Sequence, residues 1–598
     1  MKIKICLQLA FSLLFFPSLF AQDYFQQEVN YVINVTLDDK AHTIRGDIGI
    51  EYLNRSPHAL DTLWFHLWGN AFKDPSSTYG QQELRSGSTR FYFAKDSDLG
   101  YYSGLDFSVD GEKVTWRFDK KNPDIALVIL PKPLKTNEKA TVRTPFTLKI
   151  PASFSRLGHV GTSYQMTQWY PKPAVFDRKG WHAMPYLDMG EFYSEFGNFD
   201  VTITLPENYV VGATGVLQTD GERQFLARKV AETEELVKNG FPEDKSFPLS
   251  SPVMKTIRYT ADNVHDFAWF ADKRFHVLKE EAILKSGRKV DAWAMFTNEE
   301  ADLWTKGAEY VKRAVEFYSE HVGEYPWPHA TAVMSALSAG GGMEYPMITV
   351  IGRSGNARSL DDVITHEVGH NWFYGILASN ERDHAWMDEG VNSYYEYRYM
   401  RKYYGRRVGD VLPKFLENTT DMDMYELALL FQARRNLDQA PETTSNGFSM
   451  INYGLGAYFK PGSAFTHLEN YLGTERFDNI MQLYFEKWKF RHPYPEDLRE
   501  IFEKESGKNL GWFFDGYLFS NKKLDYSLTK VSKTSDGWQV GVRNKGGIAA
   551  PFPVSGLKDG AVVETKWFEG FEGETTVNFP DGGYDLLVGD EAHVTRDV

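Results

Sequence analysis

The feature that most narrows what this chain can fold into is a pentapeptide, His366-Glu367-Val368-Gly369-His370, set in a helical pattern whose start is read at Ser359, with Asp361 and Asp362 in its first turn. On a helix, residues i and i+4 lie one above the other on the same face. Two imidazoles so placed can converge on one ion at the about 2.0–2.1 Å of a zinc–nitrogen bond. Taken alone, the pentapeptide could also be an exposed polar helix face. A catalytic zinc needs a third protein ligand and an open position. Glu389 supplies a candidate: it stands eighteen intervening residues beyond His370, in Trp386-Met387-Asp388-Glu389-Gly390. The stretch between ends near Ser379-Asn380, so a helix, a turn and a second helix can return Glu389 to the first. Two His and one Glu leave the fourth position to water, and Glu367, beside the metal without binding it, is the natural general base.

Cysteine usage supports a site of this kind. The only cysteine, Cys6, lies in an N-terminal segment that reads as a secretory signal. Lys2 and Lys4 precede an apolar run over 5–20, with Pro17 near its end, and Ala21 precedes the polar Gln22-Asp23. Cleavage after Ala21 leaves a chain without thiols, so there is no disulfide framework, and any metal must be held by His and carboxylates. An exported chain without cysteine fits a bacterial periplasm or cell exterior. The net charge of −15 and the lack of a Lys/Arg run speak against a nucleic-acid partner. No later segment has about 18 unbroken apolar residues, so no membrane span is expected in the mature chain. Nothing in the sequence sets an oligomeric state.

The patterning predicts a multidomain α+β chain. From 22 to 275 it has mainly period two, as at Ile48, Ile50 and Tyr52 and over 126–130, 140–150, 199–205 and 254–260, which predicts an N-terminal mostly-β domain. The charged, proline-containing stretch 218–252 reads as an insertion or loop. Over 276–522 helical spacing takes over. Thr297 and Glu300 form a capping-box signature, and Leu303, Trp304, Ala308, Val311, Val315 and Tyr318 follow it. From 523 to 598 short alternating runs such as Trp538, Val540 and Val542, with Asp536-Gly537, Asp559-Gly560 and Asp581-Gly582 as hairpin-turn signals, predict a small C-terminal β-sandwich.

With these residues in place, the sequence resembles the aminopeptidase N family of gluzincin zinc metallopeptidases, which also holds leukotriene hydrolase/aminopeptidase. The family's zinc motif is H-E-x-x-H, eighteen residues, then Glu. The flanking H-E-V-G-H-N-W-F and W-M-D-E-G-V-N-S-Y are similar too. Its G-x-M-E-N motif resembles Gly341-Gly342-Met343-Glu344-Tyr345, with Tyr345 in place of Asn. The resemblance implies that Glu344 binds the free α-amine of a peptide and that Gly341, Gly342 and Met343 line its path. The family's Y-x-K-G element resembles Tyr458-Phe459-Lys460-Pro461-Gly462, which implies that Tyr458 stabilises the oxyanion, with Tyr453 as the rival. Thr167-Gln168-Trp169 resembles a Thr-Gln element, making Gln168 a candidate for the pocket of the first substrate residue. The fold implied for the middle of the chain is a thermolysin-like, mostly-α domain. The implied activity is removal of N-terminal residues from peptides with a free N-terminus, using one Zn2+ at His366, His370 and Glu389. The alternatives are a thermolysin-like endopeptidase, another zinc hydrolase acting for example on an epoxide, or a non-catalytic peptide-binding scaffold.

Overall fold

The computed structural model describes residues 24–337, 341–405 and 424–589. The expected signal segment 1–21, with Lys2, Lys4 and Cys6, lies outside the described residues, as does Gly340. The N-terminal region is built on a nine-stranded sheet. Its centre pairs β1 (Glu28–Asp38), β2 (Thr43–Leu53), β3 (Lys139–Lys149), β4 (Gly197–Pro206) and β5 (Met254–Val264) in the order β5-β4-β1-β2-β3. Alternation along β1 buries Val29, Tyr31, Ile33, Val35 and Leu37 and leaves Val32 exposed, as a sheet with one covered face requires. Ile48, Ile50 and Tyr52 on β2 are buried, as their spacing predicts.

The stretch 218–252, read as an insertion or loop, is not irregular throughout, because it contains the helix α1 (Asp220–Asn239). Its charges misled the pattern reading. Glu222 is buried against Lys255 at 2.7 Å, while Leu226 and Thr233 face inward. Thr233 Oγ1 accepts the Val277 N–H at 2.9 Å, which docks the helix on the next sheet.

That sheet has the order β6-β7-β8-β10-β9, from β6 (His276–Ile283), β7 (Lys289–Phe296), β8 (His329–Met334), β9 (Gly342–Tyr345) and β10 (Ile348–Ile351). The hairpin β9–β10, with Glu344 opposite Thr349, makes β9 the edge strand. The capping box at Thr297 is not formed. Helix α2 (Ala301–Trp304) starts at Glu300, and α3 (Gly307–His321) begins anew after a break. The Glu300 carboxylate instead accepts the N–H groups of Ser354 and Gly355. The zinc-motif helix α4 (Ala357–Gly369) starts two residues before the expected Ser359, because Asn356 is its cap and accepts the Ser359 N–H. Helices α5 (Glu381–Ala385), α6 (Val391–Tyr404), α7 (Met424–Arg434), α8 (Lys460–Leu472), α9 (Thr474–Trp488) and α10 (Pro495–Ser506) follow.

The C-terminal segment forms two three-stranded sheets packed over Val540, Val542, Phe552, Val554 and Phe579. Asp536-Gly537 and Asp559-Gly560 close hairpins, the latter with both residues at positive φ, 52° and 77°. Asp581-Gly582 does not. It joins Gly573–Phe579 in one sheet to Leu586–Gly589 in the other, so it is a crossover rather than a hairpin turn. Among the described residues no helix is long and apolar enough to cross a membrane.

Candidate active site

Helix α4 can present its histidines because it lies close against α6. A Cβ on Gly369 would come within 2.1 Å of Asn392 Oδ1 and 2.2 Å of the Tyr318 hydroxyl, so only glycine allows this approach. Asn392 then donates to the His366 carbonyl at 2.8 Å and accepts from the Tyr318 hydroxyl at 2.8 Å. The chain leaves α4 through an irregular turn, enters α5 at the Asn380 cap, and passes through a single π-helical turn, Trp386–Gly390, before α6. Glu389 sits in that turn. A second π turn, Gly454–Phe459, carries Tyr458 and leads into α8. The two turns touch at Gly390, where a Cβ would lie 2.9 Å from the Ala457 carbonyl oxygen and 2.5 Å from Pro461 Cγ at the start of α8.

The three expected ligands converge. His366 Nε2 and His370 Nε2 are 3.0 Å apart, and Glu389 Oε2 lies 3.3 Å from the first and 3.1 Å from the second. The opposite ring nitrogens are engaged: His366 Nδ1 with Glu396 Oε2 at 2.8 Å, and His370 Nδ1 with Asp388 Oδ1 at 2.6 Å and the Phe373 carbonyl at 3.1 Å. With the Nδ1 protons held by carboxylates, both Nε2 lone pairs point at the same spot. Lone pairs facing one another beside a carboxylate repel unless a cation lies between them. The donor set of two imidazoles and one carboxylate is that of a zinc site with an open position, so the residues fit the ion. Glu344, His370 and Asp388 also come within 4.8 Å of one another. There the His370 Nδ1 is already bonded to Asp388, so this second group supports the first.

A cavity of about 280 Å³ opens over the three ligands. Glu344, on the edge strand, lines it and is only 4% exposed, and no other described residue hydrogen bonds to its carboxylate. Burial raises its pKa above the ordinary range, against the pull of His370. Glu367 also lines the cavity. Burial pushes its carboxyl up to about 8, and its Oε2 is shut from solvent with no hydrogen-bond partner. The glycines before Glu344 have a reason in this geometry. A Cβ on Gly342 would sit 2.3 Å from Glu367 Oε1, and Gly341 holds φ at 73°. Met343 lines the cavity as well. The Tyr458 hydroxyl hydrogen bonds Glu389 Oε1, and its ring stacks on His366 at 5.9 Å. Burial holds that phenol well above its ordinary pKa, so it remains a donor. Tyr453, the rival, instead donates to Glu381 Oε1 at 3.2 Å and does not line the cavity.

Gln168 is not brought to the cavity wall. It is buried with φ at 48°, and its amide contacts the Tyr345 hydroxyl at 3.1 Å and Glu191 Oε2 at 3.3 Å, behind the edge strand. Tyr345, the departure from the G-x-M-E-N pattern, occupies it. Several residues of the site escape a reading of the sequence. Asp388 and Glu396 orient the histidines. Glu396 lies seven residues after Glu389, two helical turns on, and that interval was a usable signal. Arg156 reaches in from the N-terminal region, pairs with Glu191 at 3.3 Å and donates to the Gly342 carbonyl at 3.3 Å; no local pattern marks it. Asp362 also lines the cavity.

Residues 307–517 match the model of the peptidase family M1 domain. Among curated relatives, aminopeptidase M1-B of Oryza sativa subsp. japonica is 26% identical over 196 residues, 31% of this chain and 22% of that protein. Leucine aminopeptidase 2 of Aspergillus terreus is 28% identical over 209 residues, 32% of this chain and 33% of that protein. The match thus spans a third or less of these relatives' lengths. Among solved structures, an M1 zinc metallopeptidase from Deinococcus radiodurans aligns with a TM-score of 0.55 at 14% identity, over 82% of this chain and 93% of that one. Legionella pneumophila aminopeptidase A, solved in complex with aspartic acid, aligns with a TM-score of 0.62 at 15% identity, over 94% of this chain and 57% of that one. At such identities these likenesses establish the multidomain fold.

Proposed function

We propose that this chain, which belongs to the aminopeptidase N-like family M1 of zinc metallopeptidases through its residues 307–517, is a zinc-dependent aminopeptidase that releases N-terminal residues from peptides. The observation that carries the reading is Glu344: a buried carboxylate to which no other described residue hydrogen bonds, facing the same cavity as the metal-binding triad. A free α-ammonium entering that cavity loses hydration that an opposing charge must replace.

His366, His370 and Glu389 hold the ion, and Asp388 and Glu396 keep the two imidazoles turned toward it. Bound there, zinc supplies a Lewis acid that polarises the scissile carbonyl and acidifies water. The Glu367 carboxylate takes a proton from that water and returns it to the departing amine. The Tyr458 hydroxyl, freed from Glu389, donates to the carbonyl oxygen as negative charge grows on it. Glu344 fixes the ammonium, so that only the first peptide bond reaches the centre.

The test compares free and N-acetylated peptides on the zinc-loaded, signal-free protein. Acetylation leaves Glu344 buried and unpaired, a loss of about 3–5 kcal/mol, so cleavage should fall by roughly 10²–10³ or more. Internal cutting of acetylated peptides at rates comparable to free ones would leave the metal site standing and make the protein an endopeptidase. Export to a bacterial periplasm or cell exterior belongs to the same proposal and rests on residues 1–21. Cell fractionation with N-terminal sequencing tests it, with Gln22 as the expected first residue.

A further inference from the structure

The aminopeptidase reading gives no role to Asp362 and Val363, which stand in one wall of the cavity. Beyond His366 the cavity continues to Asp362, Val363 and Glu396. Asp362 stands one turn before His366 on α4 and Glu396 stands on α6, and their carboxyl groups lie within hydrogen-bonding reach of each other. Asp362 Oδ1 is shut from solvent and has no hydrogen-bond partner. Glu396 is committed to His366 Nδ1. Among the guanidinium groups nearby, Arg313 pairs with Asp361, and Arg358, one turn before Asp362, lies over the Tyr404 ring at 5.4 Å. Two carboxyl groups held together in a half-buried wall must either share a proton or be joined by a cation, and a cationic side chain entering the wall can take the place of that proton.

The position of this wall says which part of a peptide meets it. Glu344 lies within 4.8 Å of His370. Asp362 is eight residues earlier on the same helix, about 12 Å along its axis at 1.5 Å per residue. A peptide whose ammonium rests on Glu344 and whose first carbonyl lies over the three ligands continues past His366. Its second residue then starts one extended step, about 3.3 Å, further on, and the stem of a long side chain covers the remaining distance. The apolar Val363 flanks such a stem, and the charged head reaches the carboxylates.

We infer that Asp362, with Glu396 beside it, selects peptides carrying lysine or arginine as their second residue, which makes Asp362 a specificity-determining residue of the reaction. This rests on the aminopeptidase reading. An ion pair in a partly buried wall lies between the small value of an exposed pair and the large value of a buried one. The expected preference is therefore about tenfold in kcat/KM, equivalent to about 1.4 kcal/mol.

The test measures kcat/KM for Ala-Lys-Ala, Ala-Nle-Ala and Ala-Glu-Ala, norleucine being the uncharged match for lysine, in the parent, Asp362→Asn and Asp362→Lys proteins at equal zinc content. The parent should prefer lysine over norleucine about tenfold and disfavour glutamate. Asp362→Asn should bring the lysine-to-norleucine ratio close to one, and Asp362→Lys should turn the preference toward glutamate. The pair Lys-Ala-Ala and Nle-Ala-Ala separates first from second position, since their ratio should not respond to Asp362→Asn. Binding of the same peptides to Glu367→Gln protein, by calorimetry, reads the preference without turnover. A parent indifferent to lysine at the second position, or a preference that survives Asp362→Asn, overturns the inference. Failure of the parent to cut any of these tripeptides would remove the aminopeptidase reading, and this inference with it.

Discussion

Gly342→Ala isolates the geometry of the proposed base from the metal. The backbone at Gly342 lies in an ordinary strand, so alanine meets no conformational barrier there. The new methyl would instead lie 2.3 Å from Glu367 Oε1 and 2.4 Å from its Cδ and Cγ. Ordinary contact begins near 3.5 Å, so the carboxylate must move by about 1 Å. Glu367 is 5% exposed and cannot swing freely into solvent. A displacement of that size at a reacting group costs roughly 10²-fold. Turnover of an alanyl amide should therefore fall by roughly 10²-fold. Zinc content should not change, because none of His366, His370 or Glu389 is touched. KM should change little, because Glu344 keeps its register opposite Thr349. Steady-state kinetics with metal analysis of the same preparation provides all three quantities. Turnover within about threefold of the parent would refute the argument, as would loss of zinc in step with activity.

Glu389→Ala should lose zinc, whereas Glu367→Gln should retain it with nearly all turnover gone; metal analysis and rates on both proteins separate ligand from base. Tyr458→Phe should lower kcat by roughly 10²–10³ with little change in substrate binding, and Tyr453→Phe far less, since Tyr453 faces Glu381; the reverse order would transfer the oxyanion role to Tyr453. Asp388→Asn, which weakens the support of His370 Nδ1, should reduce zinc affinity by about 10–100-fold in a competition titration with a chelator, and unchanged affinity would show that the 2.6 Å contact does not tune the site.

The parts of the site legible in the sequence are those held by helical arithmetic. His366 and His370 share a face whatever surrounds them, and the interval to Glu389 allows one return. Residues whose partners are remote were not legible. Arg156 precedes Gly342 by 186 residues, and only the folded contact joins them. Asp362 reads as a first-turn acid suited to the helix dipole, and its place in the cavity wall depends on α6 arriving beside it. Gln168 shows the opposite failure: a short match placed it in a pocket, whereas the Tyr345 hydroxyl holds it behind the edge strand. Among the larger elements, α1 was hidden because a charged stretch resembles a loop until Lys255 is seen to neutralise Glu222. Neither π turn has a periodic signature, since each adds one residue to a helix without changing its composition.

Those two turns make the chain sensitive to its own length in an unusual place. Each residue of an α-helix turns the chain by about 100°. Deleting one residue from Trp386–Gly390 would let the backbone close into a regular helix, a locally favourable repair. It would also swing Glu389 away from the two histidines, while Gly390 lost its seat against Pro461. The same holds for Tyr458 in its own turn. Within these few residues, changes of identity away from the ligands can be absorbed by neighbouring side chains, whereas a frame-preserving deletion would yield a well-folded protein unable to hold its metal. The count of residues is thus itself a functional property of this segment, separable from what the residues are.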